Sequence, residues 1–308
     1  MHYWTTADIP PQTGKLALVT GANSGVGFHA ALELARAGAQ VILGCRNLPK
    51  ANAACDRILA EVPAAQLEPT AIDLASLASI RAFAQTFLAQ PRTLDLLINN
   101  AGVMALPTRQ LTADGFELQI GTNHLGHFAL TGLLLPAIFT APSARIVTVS
   151  SIAHRGGSIR FDDLNWTHDY KPWPAYRQTK LANLYFAFEL DHRLRAAHPK
   201  VASIAVHPGV SNTNLFAAGP GQKKNLQGIL APFFISIIGQ SEQQGALPTL
   251  YGATAPEARS GHFYGPHGFR EMRGYPIEVR AEAQAYDESV AARLWTLSEQ
   301  LTNVHYQF

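Results

Sequence analysis

The sequence is poor in cysteine and in charge, and it has no long apolar run. Only two cysteines, Cys45 and Cys55, occur in 308 residues, which excludes a disulfide framework and favours a reducing compartment. Charged residues make up 15% and the formal net charge is +2, so charge gives no reason to expect nucleic acid as a partner. A hydrophobic fraction of 47% is typical of globular proteins and excludes intrinsic disorder.

No segment predicts a membrane span or a secretory signal. The most apolar stretch, Ile229–Ile238, is short and contains a proline, whereas a helix that crosses a bilayer needs about 20 residues. The N-terminal residues lack the basic start and apolar core of a signal peptide. We therefore expect a cytoplasmic protein with no membrane span.

Short apolar runs alternate with longer helical patterns along the chain. The expected strands are 15–20, 40–45, 67–72, 94–98, 144–150 and 201–207, and the expected helices are 25–37, 49–60, 77–88, 115–139, 175–197 and 278–301. This alternation predicts an α/β fold, a Rossmann-type doubly wound parallel sheet of about seven strands with helices on both faces. Residues 1–308 are expected to form one domain: a dinucleotide-binding core that carries the catalytic residues (14–207), a substrate flap with the last strand (208–270), and a C-terminal helix and tail (271–308).

A glycine-rich turn, T-G-A-N-S-G-V-G, lies between the first strand and the first helix. Glycines allow the backbone to approach a pyrophosphate, and the helix N-terminus offers free N–H groups. Structural turns of this kind are common, but the strand before it and the helix after it favour dinucleotide binding. The contacts expected here are Gly21, Asn23, Ser24, Gly25, Val26 and Gly27.

The ends of the next three strands suggest further cofactor contacts. Cys45 stands where an acidic residue would bind the ribose hydroxyls of NAD, and Arg46 follows it. A guanidinium binds a 2′-phosphate well, so NADP(H) is favoured, although Arg46 could also be a solvated loop charge. Asp73 could accept a hydrogen bond from adenine or cap the helix near Ser76. The remaining candidates at these strand ends are Leu74, Asn100, Ala101 and Gly102.

Tyr176 and Lys180 are candidates for acid–base chemistry, because positions i and i+4 share one face of a helix. An ammonium near a phenol lowers its pKa, and such a tyrosine can act as a general acid or base. The spacing alone is weak, but it opens the helix after the fifth strand, where ligands bind in such sheets. Ser151 could bind a substrate carbonyl or cap a turn. His124 and His127 lack a convincing third ligand, so no metal is expected.

Together these residues resemble the short-chain dehydrogenase/reductase superfamily over roughly Trp4 to Tyr275. T-G-x-x-x-G-x-G, N-N-A-G, an asparagine in the fourth helix, a serine after strand five and Y-x-x-x-K occur in the family's order. The retinol-dehydrogenase-like branch is indicated by G-A-N-S-G-V-G, G-C-R, T-N-H-L-G-H-F, V-S-S-I-A-H, H-P-G-V and G-x-x-Y-G-P-x-G-F.

The resemblance implies a catalytic tetrad of Asn123, Ser151, Tyr176 and Lys180. Tyr176 would donate a proton to the carbonyl oxygen, and Ser151 would orient that carbonyl. Lys180 would bind the nicotinamide ribose and lower the pKa of Tyr176, and Asn123 would hold a water of the proton relay. The segment implied to bind the nicotinamide amide comprises Pro208, Gly209, Val210 and Thr213.

Two features depart from the shortest family members. Thr179 replaces the usual serine before the lysine, and 25 residues separate Ser151 from Tyr176. This insert resembles that of the retinol-dehydrogenase branch. Its aromatic and imidazole side chains are candidates for the substrate entrance: Trp166, His168, Tyr170 and Trp173.

The leading functional hypothesis is NADPH-dependent reduction of an aldehyde or ketone on a fairly apolar small molecule, or the reverse alcohol oxidation. The alternatives are a C=C reductase of the protochlorophyllide-reductase type and a non-catalytic NADP-binding protein. A homo-oligomer is possible, because the family forms dimers and tetramers. Retinoid metabolism is not implied, because no N-terminal anchor like that of membrane-bound members of the branch is present.

Overall fold

The computed structural model describes residues 2–210 and 240–308. In this part of the chain the strands are β1 Leu16–Thr20, β2 Gln40–Cys45, β3 Gln66–Ala71, β4 Leu96–Asn99, β5 Ala144–Val149, β6 Val201–Val206, β7 Phe263–Pro266 and β8 Pro276–Glu278. They form one sheet in the order β3-β2-β1-β4-β5-β6-β7-β8. All neighbours pair in parallel except β7 and β8, which are antiparallel. The predicted doubly wound α/β sheet is confirmed, with eight strands rather than about seven.

Helices cover both faces of this sheet. They are α1 Gly25–Arg36, α2 Leu48–Glu61, α3 Leu77–Leu88, α4, α5 Pro172–Ala197, α6 Glu242–Thr254 and α7 Glu288–Thr302, where α4 consists of the consecutive stretches Leu118–Ile120, Gly121–Leu125 and Gly126–Phe139. One core lies between the sheet and α1, α2 and α6. A second core lies between the opposite face and α3, α4, α5 and α7.

The strands read as continuous apolar runs because both of their faces are covered. All five residues of β1 are buried. Ala17 and Val19 pack into the first core, while Leu16 and Leu18 pack into the second, as the twofold alternation of side chains along a strand requires. The carboxyl ends of β1 to β6 therefore meet at one edge of the sheet.

Several sequence-based boundaries differ from those in the structure; for example, α5 begins at Pro172 rather than at 175. The last helix begins at Glu288 rather than at 278, because the Asp287 side chain accepts hydrogen bonds from the backbone N–H groups of Ser289 and Val290. Residues Pro276–Glu278 instead form β8 beside β7, within the region predicted as helix and tail. Helix α4 begins at Leu118 rather than at 115, after a β-bridge that joins Leu111 to Glu117.

Part of the predicted substrate flap, 211–239, lies outside the described residues, and with it the apolar run 229–238. Helix α6 begins at Glu242, where the Ser241 side chain accepts a hydrogen bond from the backbone N–H of Gln244. Among the residues described, no helix has the length and apolar character needed to cross a bilayer.

Candidate active site

A cavity of about 650 Å³ lies along the carboxyl ends of β1 to β6. This volume is typical of sites that bind small molecules and cofactors. At one end its wall contains Arg46 and Asp73, and at the other it contains Tyr176 and the segment that follows β6. The cavity therefore brings together the strand ends that the sequence singled out.

The glycine-rich turn after β1 forms the middle of the cavity wall. All six residues predicted there line it: Gly21, Asn23, Ser24, Gly25, Val26 and Gly27. A Cβ added at Gly27 would collide with Asn100 Nδ2 and would lie 2.6 Å from the carbonyl oxygen of Gly21. The close packing leaves room only for backbone at this point, which is the geometry that a pyrophosphate site requires.

Asn100 joins the end of β1 to the end of β4. Its backbone N–H donates to Thr20 Oγ1 at 2.9 Å, and its Nδ2 donates to the Thr20 carbonyl at 2.8 Å. The N–H of Ala101 also donates to Thr20 Oγ1, at 3.0 Å. Ala101 and Gly102 line the cavity beside Asn100, so a rigid hydrogen-bonded shelf lies next to the glycine turn.

At the β2 and β3 end, the wall contains Arg46, Asp73 and Leu74. The Asp73 carboxylate accepts a hydrogen bond from the N–H of Ala75 at 2.9 Å. Ser76, not Asp73, caps α3 by accepting from the N–H of Ser79. The prediction that Asp73 caps this helix was therefore wrong. Its second carboxylate oxygen can still accept a hydrogen bond from a ligand in the cavity.

On the far side, Pro208, Gly209 and Val210 line the cavity after β6. Gly209 has a φ of +66°, and a Cβ there would collide with the carbonyl oxygen of Met272. The N–H of Val210 donates to that same oxygen at 2.8 Å, and Gln240 Nε2 donates to the carbonyl of Pro208 at 2.8 Å. Thr213, the fourth residue predicted in this segment, lies outside the described residues.

One face of α5 forms the wall at the catalytic end. Trp173, Tyr176, Arg177 and Lys180 follow one another at positions i, i+3, i+4 and i+7, which lie on the same side of a helix. All four line the cavity. Trp173 and Arg177 are exposed, whereas Tyr176 and Lys180 are buried. The structure thus places a deep phenol–amine pair below a more open aromatic–cationic pair.

Burial changes the ionisation of both residues of the deep pair. It raises the pKa of Tyr176 to about 12, although a hydrogen bond with the Ser151 side chain acts in the opposite direction. It lowers the pKa of Lys180 to about 8. The predicted lowering of the tyrosine pKa is therefore wrong for the protein by itself, because desolvation of the phenolate outweighs the neighbouring groups.

Lys180 is held by the end of β5. Its Nζ donates to the carbonyl of Val149 at 3.0 Å, and it lies 5.8 Å from the centre of the Tyr176 ring. Asn183 Nδ2 donates to the same carbonyl at 3.0 Å. These bonds fix the ammonium group beside the phenol on the cavity wall.

The two serines after β5 behave differently. Ser150 is buried and donates to the carbonyl of Lys180 at 2.7 Å. Ser151 lines the cavity, and its Oγ accepts a hydrogen bond from the N–H of Ala153 at 3.1 Å. Ser151 thus caps the turn that follows it and also presents its hydroxyl to Tyr176.

Asn123 is buried behind the cavity wall rather than exposed on it. Its Oδ1 accepts from the N–H of Val103 at 2.8 Å, and its Nδ2 donates to the Val103 carbonyl and to Thr179 Oγ1. It lies in the π-helical part of α4, and such widened turns are frequent at functional sites. Asn123 therefore connects the loop after β4 to α5, and Thr179 replaces serine as its partner.

The histidines of α4 are packing residues. His124 hydrogen-bonds Ser298 Oγ at 2.9 Å, and His127 bonds Thr20 Oγ1 and the carbonyl of Asn123. Burial lowers the pKa of His124 to about 3 and that of His127 to about 4, so both rings are neutral. Within residues 2–210 and 240–308, no three metal-binding side chains cluster.

Sequence reasoning missed a carboxylate that connects two sides of the cavity. Glu271 accepts a hydrogen bond from Arg155, which lines the cavity, at 2.6 Å, and its other oxygen lies 3.0 Å from His207 Nε2. Arg155 follows Ser151 by four residues, and His207 immediately precedes Pro208. Glu271 has a φ of +59°, a strained conformation that is often found beside functional sites. No local motif marks this residue, because its partners lie far away in the chain.

The insert between Ser151 and Tyr176 contributes one of its four candidates to the cavity, namely Trp173. Trp166 is 6% exposed and packs beneath Arg160. Tyr170 donates its hydroxyl to the Leu106 carbonyl at 3.0 Å, and His168 is exposed away from the cavity. These three therefore lie outside the cavity wall: Trp166 and His168 contact residues of the insert itself, and Tyr170 joins the insert to the loop after β4.

These features fit a dinucleotide. At Gly27 only backbone forms the wall, which suits a pyrophosphate. The end of β2 carries Arg46 and no carboxylate, which suits a ribose with a 2′-phosphate. Lys180 and Tyr176 lie at the opposite end of the cavity. The chain matches the family model described as short chain dehydrogenase over residues 15–223, more than half of its length.

Curated relatives match over most of the chain. Retinol dehydrogenase 13 of Mus musculus is 41% identical over 294 residues, which cover 94% of this chain and 84% of the relative. Retinol dehydrogenase 14 of Homo sapiens is 39% identical over 304 residues, which cover 93% and 85%.

Solved structures share the fold. A putative uncharacterized protein from Mycobacterium paratuberculosis is 42% identical and superposes with a TM-score of 0.80, with full coverage of both chains. A short chain dehydrogenase from Shigella flexneri complexed with NADP is 23% identical, with a TM-score of 0.61 over 83% of this chain and 97% of the other. With the family model and the curated relatives, these likenesses establish that the chain belongs to the short-chain dehydrogenase family and is a retinol-dehydrogenase-like member of it.

Proposed function

We propose that the protein is an NADP(H)-dependent oxidoreductase that reduces the carbonyl of an aldehyde or ketone on a fairly apolar substrate, or oxidises the corresponding alcohol. The observation that carries this proposal is the pair Tyr176 and Lys180, buried one turn apart on the wall of the cavity that also contains the glycine turn. The retinol dehydrogenases among its relatives are named for alcohol oxidation.

The bound cofactor supplies hydride to the carbonyl carbon, so the protein must supply a proton to the oxygen. Tyr176 can supply it because its side chain lines the cavity beside Ser151 and a phenol is protonated at neutral pH. The Ser151 hydroxyl beside it can orient the carbonyl oxygen. The C=O bond becomes CH–OH, and Tyr176 recovers its proton from solvent.

The other members of the proposed tetrad hold this geometry. Lys180, fixed by the Val149 carbonyl, stands where its ammonium group can bind ribose hydroxyls and favour the phenolate that forms after proton transfer. Asn123 fixes the loop at Val103 and the Thr179 hydroxyl. We assign Asn123 a positioning role near the proton path, since its side-chain amide is already committed to those bonds.

NADP(H) is proposed over NAD(H) because Arg46 lines the cavity after β2 and buried Cys45 stands at the acidic position. Cys45 is not a reactive thiol, since burial raises its pKa to about 11. The cofactor contacts proposed from the sequence, including Thr213, remain part of this hypothesis, and so does a substrate flap within 208–270. A cytoplasmic location and a homo-oligomer are predictions to be checked by cell fractionation and sedimentation.

The test is NADPH consumption with aldehydes and ketones graded by bulk and polarity, with NADH in parallel. The panel includes α,β-unsaturated ketones, whose products are separated to distinguish an alcohol from a saturated ketone. We expect alcohol products, with kcat/KM rising as the apolar body of the aldehyde grows. If the product is the saturated ketone, the protein is a C=C reductase instead. Tight NADPH binding without any turnover would favour a non-catalytic NADP-binding protein.

A further inference from the structure

Arg177 lies on the catalytic face of α5, beside the residues already assigned. The pattern W-x-x-Y-R-x-x-K places Trp173 and Arg177 one turn apart, on either side of Tyr176 along the same stripe of the helix. All of them line the cavity. The guanidinium also lies against the turn after β5, because a Cβ added at Gly156 would be 3.7 Å from one of its nitrogens.

No carboxylate pairs with Arg177 in the part of the chain that the structure describes, whereas other cavity cations have clear assignments. Arg155 is bound by Glu271 at 2.6 Å, and Lys180 is held by a backbone carbonyl. Segment 211–239 contains no aspartate or glutamate and contains two lysines. That segment therefore cannot supply a carboxylate to neutralise Arg177.

The only acidic side chain that lines the cavity within the described residues is Asp73. It follows β3, which is four strands from β5 in the sheet order. With strands spaced about 4.8 Å apart, that separation is about 19 Å. Near the catalytic end, Glu271 pairs with Arg155 and the Glu282 carboxylate accepts from the N–H of Gly156. Neither carboxylate lines the cavity, so within the described residues Arg177 is a cation on the wall with no carboxylate at ion-pair distance.

Helix stability does not explain Arg177. Its neighbours at three and four positions on either side are Trp173, Pro174, Lys180 and Leu181, so no acidic partner stabilises the helix. The position lies near the N-terminal end of α5, where the helix dipole gives a cation no advantage. Its place on the cavity wall is the property that distinguishes it.

Apolar and aromatic side chains form much of the catalytic end. Val103, Met104, Ile152 and Ala153 line it, and Trp173, 42% exposed, meets the Tyr176 ring edge to face at 6.0 Å. A substrate whose carbonyl reaches Tyr176 would rest its body against these groups and extend past Arg177 toward the opening.

We infer that the preferred substrate carries a carboxylate on its apolar body and that Arg177 binds this carboxylate while the carbonyl reaches Tyr176. This inference rests on the proposed carbonyl reduction. A single guanidinium matches the planar, singly charged carboxylate, which it can bind with two parallel hydrogen bonds. Arg177 is then a specificity-determining residue rather than a proton donor.

The experiment compares 4-formylbenzoate with its methyl ester, two aldehydes of similar shape and different charge. We expect the ratio of their kcat/KM values, acid over ester, to fall about tenfold in Arg177→Gln, as loss of a hydrogen bond to a charged group implies. Intrinsic reactivity cancels because the same two aldehydes are used with each variant. Arg177→Lys should give an intermediate ratio, and KM for NADPH should not change.

The matched control is Lys200→Gln. Lys200 is exposed and directly precedes β6, so the substitution removes one positive charge at the opposite edge of the sheet. It should leave the ratio unchanged. An equal ratio in the parent protein and Arg177→Gln would overturn the inference while leaving carbonyl reduction intact.

A binding arm separates this failure from failure of the proposed function. Calorimetric titration of 4-formylbenzoate and its ester into the complex with oxidised cofactor needs no turnover. If neither aldehyde is reduced but the acid still binds about tenfold more tightly than the ester in an Arg177-dependent way, the anion site stands and the reaction assignment fails. Equal binding of acid and ester would overturn the anion site.

Discussion

The two ends of the cavity are built in different ways. At the cofactor end, backbone groups dominate: a glycine turn, the Asn100 shelf and strand ends whose neighbours are fixed by sheet register. At the catalytic end, side chains from distant segments define the surface, including Trp173 and Arg155, and Arg155 is held from behind by Glu271. The first end suits a ligand that every family member shares, and the second suits a ligand that differs from member to member.

This difference has an energetic basis. A backbone cradle changes little when surface residues change, because its donors are peptide N–H groups held by the sheet. A surface made of side chains can be altered one substitution at a time without loss of the fold. Substitutions at the cofactor end should therefore affect all substrates alike, whereas substitutions at the catalytic end should alter the ranking of substrates.

The largest effect expected at the cofactor end comes from Gly27→Ala. The new Cβ would lie 2.6 Å from the Gly21 carbonyl oxygen, so the turn must move, and a displacement of about 1 Å can cost a hundredfold in activity. We expect kcat/KM to fall to that extent for every carbonyl substrate. The thermal unfolding midpoint of the variant is measured alongside, so that loss of the fold is distinguished from displacement of the turn. A change confined to some substrates would contradict the comparison.

Arg46→Ala should raise KM for NADPH by about ten- to hundredfold, the range expected for loss of charge-assisted hydrogen bonds to a phosphate. NADH serves as the internal control because it lacks the 2′-phosphate, and its KM should hardly move. Steady-state kinetics with both cofactors measure this. Equal parent affinities for NADH and NADPH that are unchanged in the variant would exclude the proposed phosphate contact.

The rate of carbonyl reduction should fall as the pH rises, because Lys180 loses its proton. Burial lowers the pKa of this lysine to about 8, so the ammonium form is present below that pH and is lost above it. We expect kcat/KM to be flat from about pH 6 to 7, to halve near pH 8 and to fall by about tenfold per unit well above it. The buried histidines of α4 are neutral throughout and should add no break near 6.5. A flat profile up to pH 10 would contradict this assignment.

The smallest effect is expected for Glu271→Gln, which removes the charge that joins Arg155 to His207. We expect kcat/KM to fall severalfold and unequally among substrates, with a loss of about 1 kcal/mol in the free energy of unfolding. Glu278→Gln is a matched control, since Glu278 also pairs with an arginine and a histidine but lies at the surface. Equal effects of both variants on the substrate ranking would show that Glu271 is only a structural residue.

Glu271 stabilises the folded protein through its ionised carboxylate. Burial raises the pKa of its carboxyl, but hydrogen bonds from His207 and Arg155 outweigh burial and lower the pKa overall. A depressed carboxyl pKa stabilises the fold above the ordinary pKa of glutamate, and this contribution is lost as the pH falls through the lowered value. The contribution is therefore complete across the pH range used for activity.

The sequence predicted the cofactor end better than the catalytic end, for a physical reason. Glycine turns and strand ends are local sequence patterns, and parallel pairing of the strands is enough to bring them to one edge of the sheet. The pairing of Arg155 with Glu271 spans 116 residues, and nothing in either neighbourhood indicates it. The insert between Ser151 and Tyr176 shows the same limit. Its aromatic composition suggested a substrate entrance, but Trp166 is buried beneath Arg160.

The π-helical turn of α4 shows the same limit. An asparagine is unfavourable inside a helix, yet no sequence pattern predicts the widened turn at Gly121–Leu125 that holds Asn123. The reason lies in tertiary contacts, because Asn123 bonds the loop at Val103 on one side and Thr179 of α5 on the other. Two elements that meet only after folding determine this geometry.

The most direct test of the account uses Tyr176→Phe in two measurements on the same sample. The account predicts that NADPH binding, followed by fluorescence titration, changes by less than about twofold, while single-turnover reduction of an aldehyde slows by about 10²- to 10⁴-fold, the usual contribution of a general acid. Such a result would separate cofactor binding at one end of the cavity from proton donation at the other. Near-normal reduction by the variant with full NADPH binding would contradict the assignment of Tyr176 as the proton donor.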